Sequence, residues 1–456
     1  MEDLKYNGSY SLVEGEYDVI VVGGGTAGAA AALAAAKEGV KTLIVERNTY
    51  LGGSATGAQV TPMMHSGIIG NEDSSYINKY LKQKLKAEGY GAADPYENDG
   101  WFNPEMLKFI LEEEYIAAGG YILYDTEFID CVVEDNKIKG IIVHNRAGMS
   151  LITGNVFIDC TGDAELSFKS GVACFKGNEK NGNNQAVSLR FMVGNIELQT
   201  LIDFLEDIGE PSNLPYPLVE IAALPSWDRP LSIIFQKAVE DKKLNSEDIA
   251  YIQAFSVPGM KGVMSFNCPE IPCIKNSLDP FKLSSAAVTG RNMIRRIYRF
   301  LKETIPGFEE SYILSVAPMI GIRESRRIKG KYVLNEDDYK RRACFEDGIA
   351  RTAYPIDVHG EEEKDLDIKP MQRGEYFEIP FRSLVPDKIS NLLVGGRCIS
   401  SSFIAQSSIR IQPTCRATGE ACGIAASISV KEDIDIHHID GELIRELMIK
   451  RLKVIQ

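Results

Sequence analysis

The sequence predicts an α/β fold, and three of its stretches carry that prediction. An apolar run, a glycine-rich turn and an alanine-rich helix follow one another within residues 17–53. Short strands separated by a tight turn lie between 122 and 144, which is the pattern of a β-meander. Near 390 the chain returns to a buried strand pattern, and a helix of small residues is predicted at 414–429. We expect the middle of the chain, 175–387, to form an α+β domain of mixed helices and strands.

The glycine-rich turn has the residues of a dinucleotide site. It follows the apolar run 19–22, which predicts a buried parallel strand, and precedes a helix predicted from 26 to 38. Gly23, Gly25 and Gly28 are spaced G-x-G-x-x-G. The first glycine allows a tight turn, the second lets the backbone approach a pyrophosphate, and the third lets helix and strand pack closely. The positive end of the helix would then face the two phosphates.

Two further features strengthen this prediction, because a lone G-x-G-x-x-G is only weakly diagnostic. A second strand at 42–45 ends in Glu46, where a carboxylate accepts the hydroxyls of an adenosine ribose. Gly52 and Gly53 then supply a second glycine pair close to the first. Together they favour a bound dinucleotide over a chance match.

The remaining elements are predicted from apolar periodicity and from capping residues. Asn103 and Pro104 are typical of a helix start, with Asn as the N-cap and Pro in the first turn. Helices are predicted at 74–90, 104–118, 164–170, 283–304, 336–342 and 441–454. Strands are predicted at 122–124, 128–134, 137–144, 156–159, 188–193 and 391–394.

The composition limits which binding partners and which cellular compartment we expect. The net charge of −14 argues against nucleic acid as a partner, because phosphate binding demands a basic surface. No apolar run is long enough to span a bilayer, and the first ten residues contain no apolar signal core. We therefore expect a chain without a membrane span, acting in the cytoplasm.

The nine cysteines include no C-x-x-C pair, so the sequence indicates neither a zinc site nor an iron–sulfur cluster, and we assign no metal ligands. An odd number of cysteines without a framework is typical of reduced thiols in a cytoplasm. Cys268 and Cys273 have a spacing that a redox pair could use. Two prolines lie between them, however, and both are far along the chain from the glycine turn.

Four motifs together resemble the FAD-dependent oxidoreductases that share the glutathione-reductase-type flavin domain. The first is the glycine turn with Glu46, and the second is Leu51-Gly52-Gly53. The third is the D-C-T-G-D segment at 159–163, and the fourth runs from 391–397 into 408–414. In the middle of the chain, the RESRR segment of 321–334 and the YPIDVH segment of 352–359 resemble a bacterial branch of that family, as does 376–386. The resemblance covers nearly the whole chain.

The resemblance implies FAD as cofactor and a Rossmann-like FAD-binding domain, with a three-layer ββα sandwich core and a β-meander, plus an inserted α+β substrate domain. It implies a discontinuous FAD-binding domain at 17–66, 110–174 and 388–430, a substrate domain at 67–109 and 175–387, and a C-terminal helix at 431–456.

The choice of FAD over NAD also has a physical basis. An NAD enzyme needs only the first motif, whereas a flavin domain must enclose a larger cofactor from end to end. The second glycine pair and the C-terminal strand–loop–helix meet that need. No second convincing G-x-G-x-x-G is present, so no NAD(P)H domain is indicated. The electron donor or acceptor, and whether the chain forms a homo-oligomer, are left open.

The motifs assign the FAD contacts to turns and strand ends. Pro413 can occupy the first turn of the final helix, whose positive end would then point at N1 and O2 of the flavin. The alternative is that Pro413 only starts a core helix. The residues expected at FAD are Gly23, Gly25, Thr26, Ala27, Gly28, Glu46, Arg47, Gly52, Gly53, Ser54, Thr161, Gly162, Asp163, Gly396, Arg397, Arg410, Pro413 and Thr414.

Arginines and histidines are the catalytic candidates. Arg323 and Glu324 open an Arg–Glu cluster that could clamp a substrate carboxylate or fix a loop, and we expect these two near the flavin and Arg326 and Arg327 in structural pairs. His65 and His359 could move the proton that accompanies hydride transfer. Tyr354 and Asp357 lie beside His359 in the sequence and could complete a relay. Each histidine could equally be a hydrogen-bonded loop residue.

Three functions are compatible with these residues. The leading one is hydride transfer between a small organic substrate and flavin N5. The second is a flavin-dependent monooxygenase or halogenase, which shares the first motif but needs a reductant and an oxygen-stabilising pocket. The third is a thiazole-biosynthesis-like or non-catalytic dinucleotide-binding protein.

Overall fold

The computed structural model describes residues 11–12, 16–64, 74–96, 98–212, 214–271, 276–359 and 368–454. His65 and Cys273, both singled out from the sequence, lie outside these residues. The described chain packs around two large apolar cores, one enclosing the glycine turn and the other formed by the middle of the chain.

The first core surrounds an eight-stranded sheet with a parallel and an antiparallel part. The parallel strands lie in the order Tyr121–Leu123, Thr42–Val45, Tyr17–Val22, Gly148–Asp159 and Leu392–Val394. The antiparallel part consists of Glu127–Glu134, Lys137–Asn145 and the beginning of Gly148–Asp159, with Ser11–Leu12 pairing beside them. The long strand Gly148–Asp159 therefore joins the predicted β-meander to the parallel sheet.

The carboxyl ends of the parallel strands position the site. Residues 19–22 are at most 2% exposed, as expected for a parallel strand that is covered on both faces. Val22, Val45, Asp159 and Val394 end neighbouring strands and so lie at one edge of the sheet. In open parallel sheets this edge is where ligands bind.

Small residues let two helices pack closely over the sheet. The first helix, Thr26–Lys37, is buried along Ala27–Ala36, so alanine is the side chain that the available space permits. The closing helix, Gln412–Glu432, crosses it at glycines: a Cβ on Gly419 would lie 2.1 Å from the carbonyl oxygen of Ala27. The other α-helices are Tyr76–Ala87, Pro104–Ala117, Glu165–Lys169, Leu198–Asp207, Pro230–Glu240, Pro280–Thr304, Glu336–Lys340, Phe403–Ile409 and Gly441–Lys453.

The second core contains an antiparallel five-stranded sheet. Its strands lie in the order Glu220–Ala223, Ile252–Ser256, Met264–Phe266, Phe191–Gly194 and Tyr312–Val316. Short pairs elsewhere are Gly91–Ala92 with Trp101–Phe102, Cys174–Lys176 with Arg326–Ile328, Val187–Ser188 with Glu270–Ile271, and Gly348–Thr352 with Phe377–Pro380. Short 3-10 helices occupy Ser246–Ile249, Phe381–Leu384 and Ile436–His438. The buried apolar residues of this core run from Val187 to Ala317.

Apolar packing gives the second domain a smaller extent than the sequence suggests. Buried residues between Ile328 and Val385, and between Ile77 and Leu107, belong to the first core. We therefore propose that the inserted domain comprises about 187–317.

The predicted α/β class, with its Rossmann-like parallel sheet and β-meander, is confirmed. The predicted helix start at Asn103 is also present: its side chain accepts hydrogen bonds from the amides of Glu105 and Met106. Two strand predictions need adjustment. The strand expected at 156–159 begins at Gly148, and the one expected at 188–193 is two short strands, Val187–Ser188 and Phe191–Gly194. No helix in the described part of the chain is long and apolar enough to cross a membrane.

Candidate functional site

A cavity of about 450 Å³ opens at the carboxyl edge of the parallel sheet and extends to the second core. At one end it is lined by the glycine turn and the end of the second strand. At the other end it is lined by Arg190, Tyr251, Glu270, Arg323 and His359. One continuous space thus joins the expected dinucleotide residues to a polar cluster.

The three glycines of the turn have different surroundings. Gly23 has a φ of +92°, and a Cβ there would lie 2.6 Å from the carbonyl oxygen of Cys160. A Cβ on Gly28 would lie 1.8 Å from the carbonyl oxygen of Gly23, so this glycine permits the helix to pack against the turn. A Cβ on Gly25 would meet only the Cα of Gly53, at 3.9 Å, and Gly25 lines the cavity. The turn therefore has the geometry of a backbone that approaches a ligand at Gly25.

Glu46 is buried at the end of the second strand, with one oxygen still able to accept. Its Oε2 accepts the amide of Gly24 at 2.7 Å. Its Oε1 accepts both the amide and the side-chain nitrogen of Asn48, at 2.8 and 2.7 Å. Since each carboxylate oxygen has two lone pairs, Oε2 retains one for a hydroxyl in the cavity.

The second glycine pair is bonded to the first turn. The amide of Gly52 donates to the carbonyl of Gly24 at 2.9 Å, and the hydroxyl of Thr26 donates to the carbonyl of Gly52 at 3.1 Å. Gly53 and Ser54 line the cavity, as do Ala27 and Arg47, whereas Gly28 and Gly52 lie behind its wall. The first helix has no side-chain cap, so its first amides face the cavity without a partner from a capping side chain.

Asp163 holds an arginine at the cavity wall. Its Oδ1 lies 2.8 Å from Nη2 of Arg397 and accepts the hydroxyl of Ser325 at 2.5 Å. Burial raises the pKa of Asp163, but the Arg397 charge and the Ser325 hydrogen bond outweigh it and lower the pKa below the ordinary value. Arg397 lines the cavity beside Thr161, Gly162 and Gly396, and its Nε is buried without a partner. Arg397 therefore places a positive charge at the cavity wall, where an anionic group would be favoured.

The closing helix begins at the cavity, with Ile411 as N-cap and no side-chain cap. Pro413 lies in its first turn, as the sequence predicts. Pro413 and Thr414 do not line the cavity; from this segment Arg410, Ile411, Gln412 and Cys415 do. Direct contacts of Pro413 and Thr414 with FAD stay predictions, and the residues of this segment at the cavity wall are their neighbours.

At the far end of the cavity, a charged network surrounds His359. Its Nδ1 lies 2.7 Å from Oε2 of Glu270, and its Nε2 lies 3.1 Å from Oδ1 of Asp357. Arg323 approaches the same Glu270 oxygen at 3.3 Å, and Arg410 approaches Oδ2 of Asp357 at 2.9 Å. Since a carboxylate can only accept, the ring makes both hydrogen bonds when both of its nitrogens carry protons.

The two carboxylates of this network are held in their ionised form. Burial raises the pKa of Glu270, but the His359 hydrogen bond and the Arg323 charge lower it below the ordinary value. For Asp357, burial is likewise outweighed by the His359 hydrogen bond and by Arg410, and its pKa lies far below the ordinary range. The hydroxyl of Tyr354 donates to Oδ2 of Asp357 at 3.4 Å, and burial holds the pKa of Tyr354 well above its usual value. Tyr354 therefore keeps its proton.

Glu324 does not belong to the cavity, contrary to the expectation for it. Its carboxylate accepts the amide of Gly177 at 3.0 Å, the side chain of Asn184 and a guanidinium N–H of Arg327. Arg327 is fully buried beside it, so the pair fixes a loop, which is the structural alternative. Arg326 donates to the carbonyl of Asp163 at 3.2 Å and also lies outside the cavity lining.

Among the cavity residues that the sequence reasoning missed are the charged side chains Arg190, Glu165 and Glu270. Arg190 had a signal, because it is a charged residue inside an apolar strand pattern. Glu165 lies two residues after the T-G-D segment, and burial with the nearby Asp163 raises its pKa to about 7. No pattern in the sequence marked Glu270, because only the pairing of Ser188 with Glu270 brings it to the site.

The lining fits a flavin dinucleotide. Two uncapped helix starts, the arginines Arg397 and Arg410, and the free lone pair of Glu46 all meet one elongated cavity. The sequence matches the family described as FAD dependent oxidoreductase over residues 18–448. The chain belongs to this family. Its cofactor is FAD, and the chain is an oxidoreductase, as the sequence resemblance predicts.

Among curated relatives of this FAD dependent oxidoreductase, the tRNA uridine 5-carboxymethylaminomethyl modification enzyme MnmG of Alkaliphilus metalliredigens is 30% identical over 167 residues, which are 34% of this chain and 24% of the relative. The thiamine thiazole synthase of Methanococcus vannielii is 30% identical over 155 residues, or 32% of this chain and 56% of the relative. The chain thus spans about a quarter to a half of the length of these relatives. Since the MnmG relatives modify tRNA, the predicted exclusion of nucleic acid is not supported by these similarities.

Two solved structures are similar to this chain over most of its length, at low sequence identity. A geranylgeranyl bacteriochlorophyll reductase-like protein from Thermoplasma acidophilum has a TM-score of 0.44 and 14% identity, covering 96% of this chain and 83% of its own. The flavin-dependent brominase Bmp2 has a TM-score of 0.45 and 11% identity, with the same coverage of 96% and 83%.

Proposed function

We propose that the protein transfers a hydride between a small organic substrate and N5 of FAD. The observation that carries this proposal is the single cavity that runs from the glycine turn to the His359 network. When bound, FAD supplies the hydride chemistry, and the protein supplies position, charge and proton handling.

Cofactor binding is assigned to the sheet edge. Gly25 and the first amides of the helix Thr26–Lys37 would receive the pyrophosphate, where the helix dipole favours negative charge. The remaining lone pair of Glu46 would accept a ribose hydroxyl. Arg397, held by Asp163 at the cavity wall, would place its positive charge near an anionic group of the cofactor.

Proton handling is assigned to His359. The hydrogen bonds to Glu270 and Asp357 fix its ring and leave the proton on Nε2 shared with Oδ1 of Asp357. Tyr354 donates to the other Asp357 oxygen and so helps to hold this carboxylate in place. Arg323 holds Glu270 in place and is therefore a positioning residue.

The proposal includes a small molecule as the substrate and a cytoplasmic location. The net charge of −14 supports a small substrate over tRNA, and the eight cysteines that the structure describes are all free thiols. A gel-shift titration with bulk tRNA tests the first point: binding at physiological salt would overturn it.

An anaerobic screen of organic substrates tests the function, with bleaching of the flavin absorbance as the readout. We expect the purified protein to be yellow and one compound class to bleach it. A His359→Asn variant should keep its flavin and bleach more slowly. A hydroperoxide absorbance after the reduced protein meets oxygen would favour a monooxygenase or halogenase instead. A protein that stays colourless after incubation with FAD would favour a non-flavin role of the thiazole-biosynthesis kind.

A further inference from the structure

Arg190 is a buried cation at the substrate end of the cavity. It lies just before the strand Phe191–Gly194, is 2% exposed and lines the cavity. Its Nε donates to the carbonyl of Phe266 at 3.3 Å, and its Nη2 donates to the carbonyl of Thr61 at 3.1 Å. A guanidinium has five N–H groups, so both of those on Nη1 and one on Nη2 are left over.

No carboxylate among the described residues forms an ion pair with Arg190. Burial has the largest effect on Arg190 and lowers its pKa to about 10, which still leaves it charged at neutral pH. Another cation, Arg323, lies near and acts in the same direction. The two other arginines at this end of the cavity do have carboxylate partners: Arg323 pairs with Glu270, and Arg410 pairs with Asp357.

The charge count at this end of the cavity is therefore positive. Three guanidinium groups face two carboxylates, and the unmatched one belongs to Arg190. A buried cation that lacks an anion is costly, unless the anion arrives with a ligand. Nη1 and Nη2 of this planar guanidinium both keep N–H groups without a protein partner, and a guanidinium can bind a carboxylate through two parallel hydrogen bonds.

We propose that Arg190 binds a carboxylate of the substrate, so that the substrates of this enzyme are organic acids. This inference rests on the proposed function and names its substrate class. The sequence analysis suggested Arg323 as a clamp for the substrate carboxylate, but Arg323 already pairs with Glu270. Arg190 has no such carboxylate partner and is therefore the better candidate. Leu224, Ala250 and Met64 line the same cavity and suit an apolar body attached to the acid group.

The test compares acids with their neutral amides on the flavin-loaded protein. Benzoate and butyrate are titrated beside benzamide and butyramide, with calorimetry and the visible flavin spectrum as readouts. We expect the two acids to bind and the amides to bind at least tenfold more weakly. Arg190→Met should weaken acid binding about 10- to 100-fold, the range expected for a charged hydrogen-bonded pair.

Arg416→Met is the matched control. Arg416 is also buried, and its Nη1 donates to the side-chain oxygen of Asn78, but it does not line the cavity. This variant removes a buried guanidinium and should leave acid binding unchanged. Arg190→Lys keeps the charge without the fork and should bind acids several-fold more weakly than the parent, which provides the comparison if Arg190→Met does not fold.

Each outcome decides between the alternatives. Equal affinity of the parent and both Arg190 variants for the acids, or equal binding of acids and amides, overturns the inference. Loss of flavin from Arg190→Met but not from Arg416→Met also overturns it, because Arg190 would then hold the cofactor. A yellow protein that substrates reduce but that binds neither acid refutes the carboxylate site alone. A protein that never retains FAD but binds acids through Arg190 supports the site and overturns the proposed function.

Discussion

Replacing Gly25 by alanine should separate cofactor binding from folding. Gly25 is the N-cap of the first helix, with φ −69° and ψ −163°, a conformation that alanine adopts without strain. The added methyl group would have the Cα of Gly53 as its nearest neighbour, at 3.9 Å, and would project where the backbone faces the cavity. The free energy of unfolding should therefore change by no more than about 1 kcal/mol.

The effect on FAD should be much larger. A methyl group at this point moves the pyrophosphate away from the helix amides. The lost contact combines about 0.3–2 kcal/mol of helix-dipole attraction with a charged hydrogen bond of about 1.5–3 kcal/mol. Allowing for partial adjustment, we expect a loss of about 2–4 kcal/mol, or roughly 30- to 1,000-fold in the dissociation constant of FAD.

Gly28→Ala is the matched comparison, because it adds the same methyl group three residues further along. There the Cβ would lie 1.8 Å from the carbonyl oxygen of Gly23, so the helix has to shift and we expect the fold to lose more than about 3 kcal/mol. The assays are fluorescence titration of FAD into cofactor-free protein and urea unfolding followed by circular dichroism. A Gly25→Ala variant that binds FAD as tightly as the parent would refute the assignment of the pyrophosphate to this turn.

Three further outcomes are expected. Glu46→Gln replaces an acceptor with a donor beside buried amides and should weaken FAD binding about 10-fold or more; an unchanged titration would contradict the ribose contact. Glu165 has a folded-state pKa of about 7, raised from 4.5, so the folded protein binds its proton more tightly and should lose about 2 kcal/mol of stability as pH rises from 5 to 8, relative to Glu165→Gln. If urea unfolding shows the same change in stability from pH 5 to pH 8 for the parent and for Glu165→Gln, the prediction is wrong. Arg323→Met should slow flavin reduction by substrate about 100-fold with FAD retained, because Glu270 loses one of its two charged partners; equal rates would exclude a positioning role.

The cofactor end of the site could be predicted from the sequence because its parts are local. A strand, three glycines and the start of a helix are consecutive, and the backbone itself supplies the contacts. The strand end at Glu46 follows within the same βαβ unit, whose right-handed crossover leaves little freedom. Gly23, Gly25 and Glu46 were identified from this spacing and line one cavity, whereas Gly28 packs behind its wall.

The substrate end depends on pairings that no local pattern contains. Glu270 reaches Arg323 and His359 only because its strand pairs with Ser188, 82 positions earlier in the chain. Glu324 shows the converse error, since proximity in sequence suggested that it shares the site of Arg323. Of the two, only Arg323 lines the cavity, because the Glu324 carboxylate is bonded to Gly177, Asn184 and Arg327 instead.

The two ends of the cavity are aligned by the segment just after the second glycine pair. Gln59 donates to the hydroxyl of Ser315 at 2.8 Å, and the carbonyl of Val60 accepts from Gln412 at 2.7 Å. The carbonyl of Thr61 accepts from Arg190. Thus one short stretch bonds to the second core, to the closing helix and to the proposed acid anchor. Because the last two hydrogen bonds use backbone carbonyls, no pattern of side chains in the sequence predicts them. A substrate held by Arg190 would then be positioned against the cofactor turn through a single segment, so that changes in its backbone would alter hydride transfer without touching either ligand.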